Sequence, residues 1–320
     1  MRLLQHMKKV ICPTLFRSLL FVLWLGMAGP KTSLAAEGGS GEYLPGFFGF
    51  MAGYIPPESG LYLGNYAYYY NAEASRVSAG GKLAAGVETD VAIDVVGLTW
   101  VTPWKFAGAN LGMGIAQGVG YVDVDVNVAP LGLDASADAT GLSDTILTPA
   151  ILGWHTGDLH VSTLLNVYAP TGEYDEDQAV NLSKNYWAVE PMINLTYLNT
   201  KTGTELSGAF GYTVNYENPT TDYDSGDVFH VDVALGQYLS KHLKIGALGY
   251  AWVQVTGDSG DGATLGDFKS EVYGVGPGID YLAKFGNTTD VDFQLKWYHE
   301  FDSRNRLEGD AFFFNISFKF

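Results

Sequence analysis

Val291-Asp-Phe-Gln-Leu-Lys-Trp-Tyr-His-Glu-Phe301 alternates in strict period two: Val291, Phe293, Leu295, Trp297, His299 and Phe301 share one face, and Asp292, Gln294, Lys296, Tyr298 and Glu300 share the other. Successive side chains of an extended strand point to opposite faces, so the stretch reads as a β-strand with one greasy face and one wet face. The alternation recurs at residues 204–216, where Leu206, Phe210, Tyr212, Val214 and Tyr216 oppose Glu205, Ser207, Thr213 and Asn215. Residues 159–169 and 243–255 carry it as well.

Working outward from this strand gives twelve candidates, at residues 61–70, 87–101, 111–127, 145–155, 159–169, 186–198, 204–216, 228–239, 243–255, 269–282, 290–301 and 309–320. Short links fall at 156–158, 199–203 and 240–242; long polar ones fall at 71–86, 129–144, 170–185, 217–227 and 256–268. Short links on one side, long ones on the other and an even strand count are the pattern of a transmembrane antiparallel up-and-down β-barrel. A soluble β-sandwich also alternates, but its strands average about 5–6 residues, too few to cross a bilayer. Trp100, Trp104, Trp187, Trp252 and Trp297 stand near strand ends, as interfacial girdles require. The chain closes on Phe312, Phe314, Ile316, Phe318 and Phe320 in alternation with Phe313, Asn315, Ser317 and Lys319, which resembles the assembly signal of bacterial outer-membrane barrels. That likeness implies the barrel assembly machinery, outer-membrane lipids and lipopolysaccharide as partners.

The composition agrees. Gly 40, Tyr 20 and Phe 17 accompany only 17% charged residues, too apolar for a disordered chain and too poor in helix formers for a bundle. A net charge of −17 argues against a nucleic-acid partner. At the N-terminus Arg2, Lys8, Lys9 and Arg17 precede an apolar stretch, and Ser33 and Ala35 fit a cleavage site, so residues 1–35 read as a secretory signal peptide. Its removal takes five basic residues and no acidic one, moving the charge to −22, and takes the only cysteine, Cys12. The mature chain then has no thiol nucleophile, disulfide or thiolate metal site, and no cofactor is expected.

Val167-Tyr-Ala-Pro-Thr-Gly-Glu-Tyr174, Asn185-Tyr-Trp187 and Val275-Gly-Pro-Gly278, with Tyr43-Leu-Pro-Gly46 and Ile55-Pro-Pro57 near the start, resemble the bacterial family named for the meta pathway of phenol degradation. The likeness covers most of the mature chain. It implies a Gram-negative outer-membrane barrel linked to uptake of aromatic or other hydrophobic compounds, and no catalytic residues.

Residues 36–60 form an N-terminal apolar segment ahead of the barrel at 61–320. Leu44, Phe47, Phe48, Phe50, Met51, Tyr54 and Ile55 are too apolar to hang in periplasmic water, and twelve strands enclose a bore that something must narrow. The segment is therefore expected either to fold into the lumen or along its wall as a greasy constriction, or to be a thirteenth, irregular element packed only for stability. The expected lumen face carries Glu88, Asp90, Asp94, Glu190, Asn194, Glu205, Asn215, Asp292, Lys296 and Glu300, either lining a path or answering one another across the barrel. Tyr66, Tyr68 and Tyr70 either stack a flat solute or form an interfacial belt. Pro149, Pro191 and Pro277 remove ladder donors, so bulges are expected there.

The function expected from these readings is passive uptake of small hydrophobic or aromatic compounds; a structural or adhesive barrel that passes nothing is the alternative. Glu173, Asp175, Glu176 and Asp177, with Asp222, Asp224 and Asp227, are carboxylates of outer loops that either gather divalent cations or are simply solvated. Asp258 to Gly262 hints at a calcium loop, but Lys269 stands where glutamate is needed. His160 and Ser162, with Asn166 or Asn194, match the spacing of an outer-membrane phospholipase; they fall on the lumen set rather than against lipid, so no enzyme is expected.

Overall fold

The computed structural model describes residues 40–79, 82–128, 133–264, 266–267, 269–285 and 289–320. The expected signal peptide and residues 36–39 lie outside the described residues. Thirteen strands follow in chain order: β1 (Gly60–Ala79), β2 (Lys82–Phe106), β3 (Ala109–Val128), β4 (Leu133–Leu142), β5 (Thr145–Thr156), β6 (Leu159–Ala169), β7 (Ala188–Asn199), β8 (Thr204–Asn215), β9 (Val228–Tyr238), β10 (Leu243–Gln254), β11 (Glu271–Phe285), β12 (Thr289–Arg304) and β13 (Glu308–Lys319).

Every pairing is antiparallel, and β1 pairs with both β2 and β13, which closes the sheet. β3 pairs with β5 through its first half and with β4 through its second. The wall is therefore a ring of twelve strands, and β4 is an extra strand standing on the far end of β3. Closure leaves no edge, so backbone amides that face hydrocarbon are paired around the circumference.

Two stretches expected as loops, 71–86 and 129–144, are largely strand. β1 and β2 stay paired as far as Ala79 and Lys82, and β4 continues the ladder from Val119 to Val128. Residues 135–140 alternate alanine with small polar residues; alanine is a poor strand former, so the period is visible only once the neighbouring ladder is known.

At one end of the barrel the reversals are tight, as at Ala107-Gly108, where both residues have positive φ (50° and 79°). This is called the turn end; the other, carrying residues 170–187, 216–227 and 255–264, is the loop end. Pro149 accompanies register shifts in β5 against both neighbours. Pro191 and Pro277 cause none: both point outward, and their strands keep register on either side.

The outer wall is apolar. Leu206, Leu235 and Ile193 are 58%, 56% and 54% exposed, and such residues recur strand after strand, a continuous greasy belt that water would not tolerate. Its upper boundary is resolved on three neighbouring strands, where Trp297 is level with Phe312 and Phe312 with Tyr69. One step beyond that row the outward residues turn polar: Trp297 Nε1 donates to Asp310 at 2.8 Å and the Tyr69 hydroxyl to Asp90 at 2.6 Å. Aromatic rings with a polar handle turned toward water are what an interfacial girdle needs.

Candidate functional site: a lumen threaded by the N-terminal segment

Residues 40–57 run lengthwise through the barrel. Near the loop end, Lys184 Nζ donates to the Ser40 hydroxyl and the Tyr43 ring stacks on His230 at 3.5 Å. Near the turn end, Tyr54 lies 5.1–5.3 Å from the rings of His155 and His160.

The middle of the segment is held by its backbone, because a short irregular chain inside a barrel must find partners for its amides. A turn closed by Phe47 N–H on Leu44 C=O contains Gly46 at φ 82°. Glycine is required there twice over, since a Cβ would also fall 2.7 Å from the Tyr298 ring. Asp232 of β9 accepts the N–H groups of Gly46 (3.2 Å) and Phe48 (3.0 Å) and the Tyr43 hydroxyl. From the opposite side, Lys296 and the Tyr298 hydroxyl donate to the Gly46 carbonyl at 2.6 and 3.1 Å, and Lys296 also donates to Phe47. Further along, Glu205 accepts Met51 N–H at 2.6 Å and Thr196 accepts Gly53 N–H at 3.0 Å.

Phe50 fills a socket in the wall. Gly236, Gly246 and Gly278 stand level on β9, β10 and β11, and a Cβ on any of them would lie 2.8–3.1 Å from the Phe50 ring. Lys244 caps the socket, its Nζ 4.8 Å from the ring centroid while it bridges Glu205 and Asp280 at 2.7 and 2.8 Å.

The charges on this side answer one another. Glu190 is fully buried and accepts from Asn166, Tyr168, Thr213 and His230 at 2.8–2.9 Å. Glu300 accepts the Tyr70 and Tyr250 hydroxyls at 2.6 Å and Gly309 N–H at 2.9 Å. Asn215 donates to Gly226 C=O, Gln294 to Asp292, and Asn194 is fully buried opposite Ser162 in the β6–β7 register. His160 contacts His155 through their Nδ1 atoms at 2.9 Å.

The other side of the lumen differs. Thr89, Val91, Ile93 and Val95 of β2 point inward, with Tyr66 and Tyr68 of β1 and the glycine-rich inner face of β3. Val91, Ile93, Tyr66 and Leu164 face inward yet stay partly open, and across from them lie Phe47 and Phe48, with Phe47 4.9 Å from the Tyr66 ring. The bore is thus split lengthwise into a polar half that anchors the segment and an apolar half that faces its phenylalanines.

This geometry corrects two sequence assignments and decides a third that was open. Glu88, Asp90 and Asp94 point out of the barrel, because β2 turns its valines and isoleucine inward. Glu88 and Asp90 lie at or beyond the aromatic boundary, and Asp94, one step inside it, accepts from Asn65 at 2.7 Å. Tyr66, Tyr68 and Tyr70 are lumen residues rather than an outer belt, and Tyr68 and Tyr70 are buried. Trp252 is fully buried on the inner face, whereas Trp100, Trp104, Trp187 and Trp297 do face outward. Lys296 and Glu205, which hold the segment, are among the residues named from the sequence; Asp232, Thr196 and Lys244, which also hold it, are not. His230-Val-Asp232 inside a strand was a usable signal, since polar residues two apart share a face.

At the loop end, Asp258 accepts Tyr223 hydroxyl, Gly226 N–H and Gln254 Nε2, tying two loops together. Among the described residues no three histidine, cysteine, aspartate or glutamate side chains gather closely enough to hold a metal.

Among solved structures, the chain is similar to the COG4313 outer membrane channel from Pseudomonas putida F1, at 15% identity and a TM-score of 0.67, over 85% of this chain and 98% of that one. The translocator domain of the autotransporter NalP from Neisseria meningitidis gives 13% identity and a TM-score of 0.46, over 82% and 89%. The TodX monoaromatic hydrocarbon channel, as a deletion mutant, gives 10% and 0.43, over 82% and 90%. No curated protein matches the chain. Residues 72–316 match the model of the family described as "Putative MetA-pathway of phenol degradation"; this covers well over half of the sequence, and the chain belongs to that family.

Proposed function

We propose that the protein is a passive outer-membrane conduit for small hydrophobic or aromatic compounds, exported by its N-terminal signal and inserted by the barrel assembly machinery among outer-membrane lipids and lipopolysaccharide. The observation that carries this is the split lumen. Apart from Arg306 at the loop end, the charges of the polar half are engaged by the segment or by each other, so a hydrated solute meets few free partners there. A hydrophobic solute meets Phe47, Phe48, Tyr66, Val91 and Ile93, inward-facing groups that are still partly open. The path runs along that side, past Leu44 and Tyr68 near the loop end and Tyr54 near the turn end, with Phe50 locked in its socket as the anchor. Membership of a family named for phenol degradation, and likeness in fold to an outer membrane channel, support the same reading.

The test is carried out in cells, because an apolar probe crosses a plain bilayer unaided and the lipopolysaccharide leaflet is the barrier of interest. Expression of the chain is expected to speed entry of N-phenyl-1-naphthylamine through an intact outer membrane, while proteoliposomes swell in arabinose at the protein-free rate. Deleting residues 44–55 is expected to open the arabinose route. Equal probe entry with and without the protein would leave a structural barrel as the better reading.

A further inference from the structure

The turn between β12 and β13 sends Arg306 into the loop end of the lumen. Asp302 and Asn305 take positive φ there (54° and 55°), as their short polar side chains allow. Arg306 is only 7% exposed, and its guanidinium carbon lies 4.2 Å from the centroid of Trp252, itself fully buried. The segment closes in from the side: a Cβ on Gly41 would fall 2.9 Å from the indole.

Nε and Nη1 of Arg306 and Nε1 of Trp252 are buried and have no hydrogen-bond acceptor. The buried lysines are answered: Lys244 meets two carboxylates and Lys296 two carbonyls. Glu300 feels the charge of Arg306, but its oxygens are occupied by Tyr70, Tyr250 and Gly309. Three N–H donors in one stack, desolvated and unfilled, are costly unless an acceptor arrives. Nε and Nη1 lie on different edges of the guanidinium, so each offers a charge-assisted hydrogen bond of its own to a carboxylate oxygen. Glu300 nearby disfavours a second negative charge on the guest, and the aromatic surroundings supplied by Tyr68 and Tyr250 suit an apolar tail.

We infer that the Arg306–Trp252 stack receives the carboxylate of a hydrophobic monocarboxylic acid entering from the loop end. This rests on the conduit reading above and narrows its substrate class from hydrophobic compounds in general to amphipathic acids among them.

The test uses the full barrel in neutral detergent and calorimetric titration with 4-phenylbutanoate and with 4-phenylbutanol, which differ in the head group. Wild type is expected to bind the acid at least about tenfold more tightly than the alcohol, the size of one charge-assisted hydrogen bond. Arg306→Gln is expected to abolish the preference, and Arg306→Lys to retain part of it. Trp252→Phe, which keeps an aromatic ring and removes the N–H, is expected to reduce it severalfold. Equal binding of acid and alcohol by wild type, or a preference that survives Arg306→Gln, overturns the inference. If Arg306→Gln does not fold, judged by loss of the heat-modifiable gel shift, an unchanged preference in Trp252→Phe overturns it instead. Failure here leaves N-phenyl-1-naphthylamine entry intact, whereas failure of the conduit reading removes that entry whatever the acid preference.

Discussion

Replacing Phe50 by alanine removes a bulky side chain of the segment that is keyed into the wall. The ring is 4% exposed and sits over three level glycines with Lys244 above it, so the floor of the socket cannot close into the space without moving strands. Truncating a buried phenylalanine costs about 3–5 kcal/mol, and the rigid socket places this site toward the upper part of that range. The twelve-strand ladder does not depend on the ring, so the loss falls on docking of the segment. At about 1.4 kcal/mol per factor of ten, the undocked population should rise by roughly two to three and a half orders of magnitude. Hydrogen exchange read by mass spectrometry reports this directly. Peptides covering residues 43–54 should lose protection by at least about a hundredfold, and peptides from β7 to β12 should not change. If instead segment protection moves less than tenfold while the whole barrel melts earlier, Phe50 props the wall and the keying argument is wrong.

Asp232→Asn keeps the shape of the acceptor but removes its charge, leaving Lys296 among carbonyls alone; segment exchange should rise by roughly tenfold to a hundredfold, with arabinose swelling above background. Burial of Glu42, reinforced by Asp144, raises its carboxyl from 4.5 to about 8. The docked form therefore holds a proton on Glu42 that the undocked form releases, so the contribution of Glu42 to docking, read as wild type against Glu42→Gln, should fall as pH rises from about 5 to about 8, by at most roughly tenfold per unit. A difference between the two proteins that stays constant or moves in favour of wild type as pH rises contradicts the assignment. Burial likewise raises Asp258 from 3.8 to about 6, so the tie between the outer loops should be firmest below about pH 4 and loosen up to about pH 6. Exchange at Gly226 measured across that window, with Asp258→Asn as the flat control, checks it.

How much of this could be read from the sequence depends on what each strand separates. β12 divides lipid from a charged lumen, so its two faces have opposite hydropathy and Phe293, Leu295 and Trp297 reveal the outside at once. β8 is legible for the same reason. β2 divides water or headgroup from an apolar lumen near its loop end, which inverts the rule: Glu88 and Asp90 are outside because that part of the strand stands beyond the belt, and Val91 and Ile93 are inside because the lumen there is greasy. Alternation shows that a strand has two faces and leaves open which is which. Trp252 shows a second limit, since an aromatic near a strand end suits a girdle and a lumen equally well. The Phe50 socket was out of reach for another reason: Gly236, Gly246 and Gly278 become neighbours only through strand register, which glycine, having no side chain, does nothing to announce.

The division of the lumen also decides how a solute could pass. Eight hydrogen bonds tie the segment through Tyr43, Gly46, Phe47, Phe48, Met51 and Gly53 to Asp232, Lys296, Tyr298, Glu205 and Thr196. At about 0.5–1.5 kcal/mol net for each, expelling the segment costs several kcal/mol before the Phe50 socket is counted. Expulsion would also uncover Asp232, Glu205 and Lys244 to water, converting a greasy slit into a hydrated pore. Rotating Phe47 or Phe48 off its preferred rotamer costs on the order of 1 kcal/mol and breaks none of those bonds. Movement of side chains along the apolar half is therefore the cheaper opening by a wide margin. The segment acts as the second wall of the path, and a barrel stripped of it should admit sugars while losing its preference for hydrophobic guests.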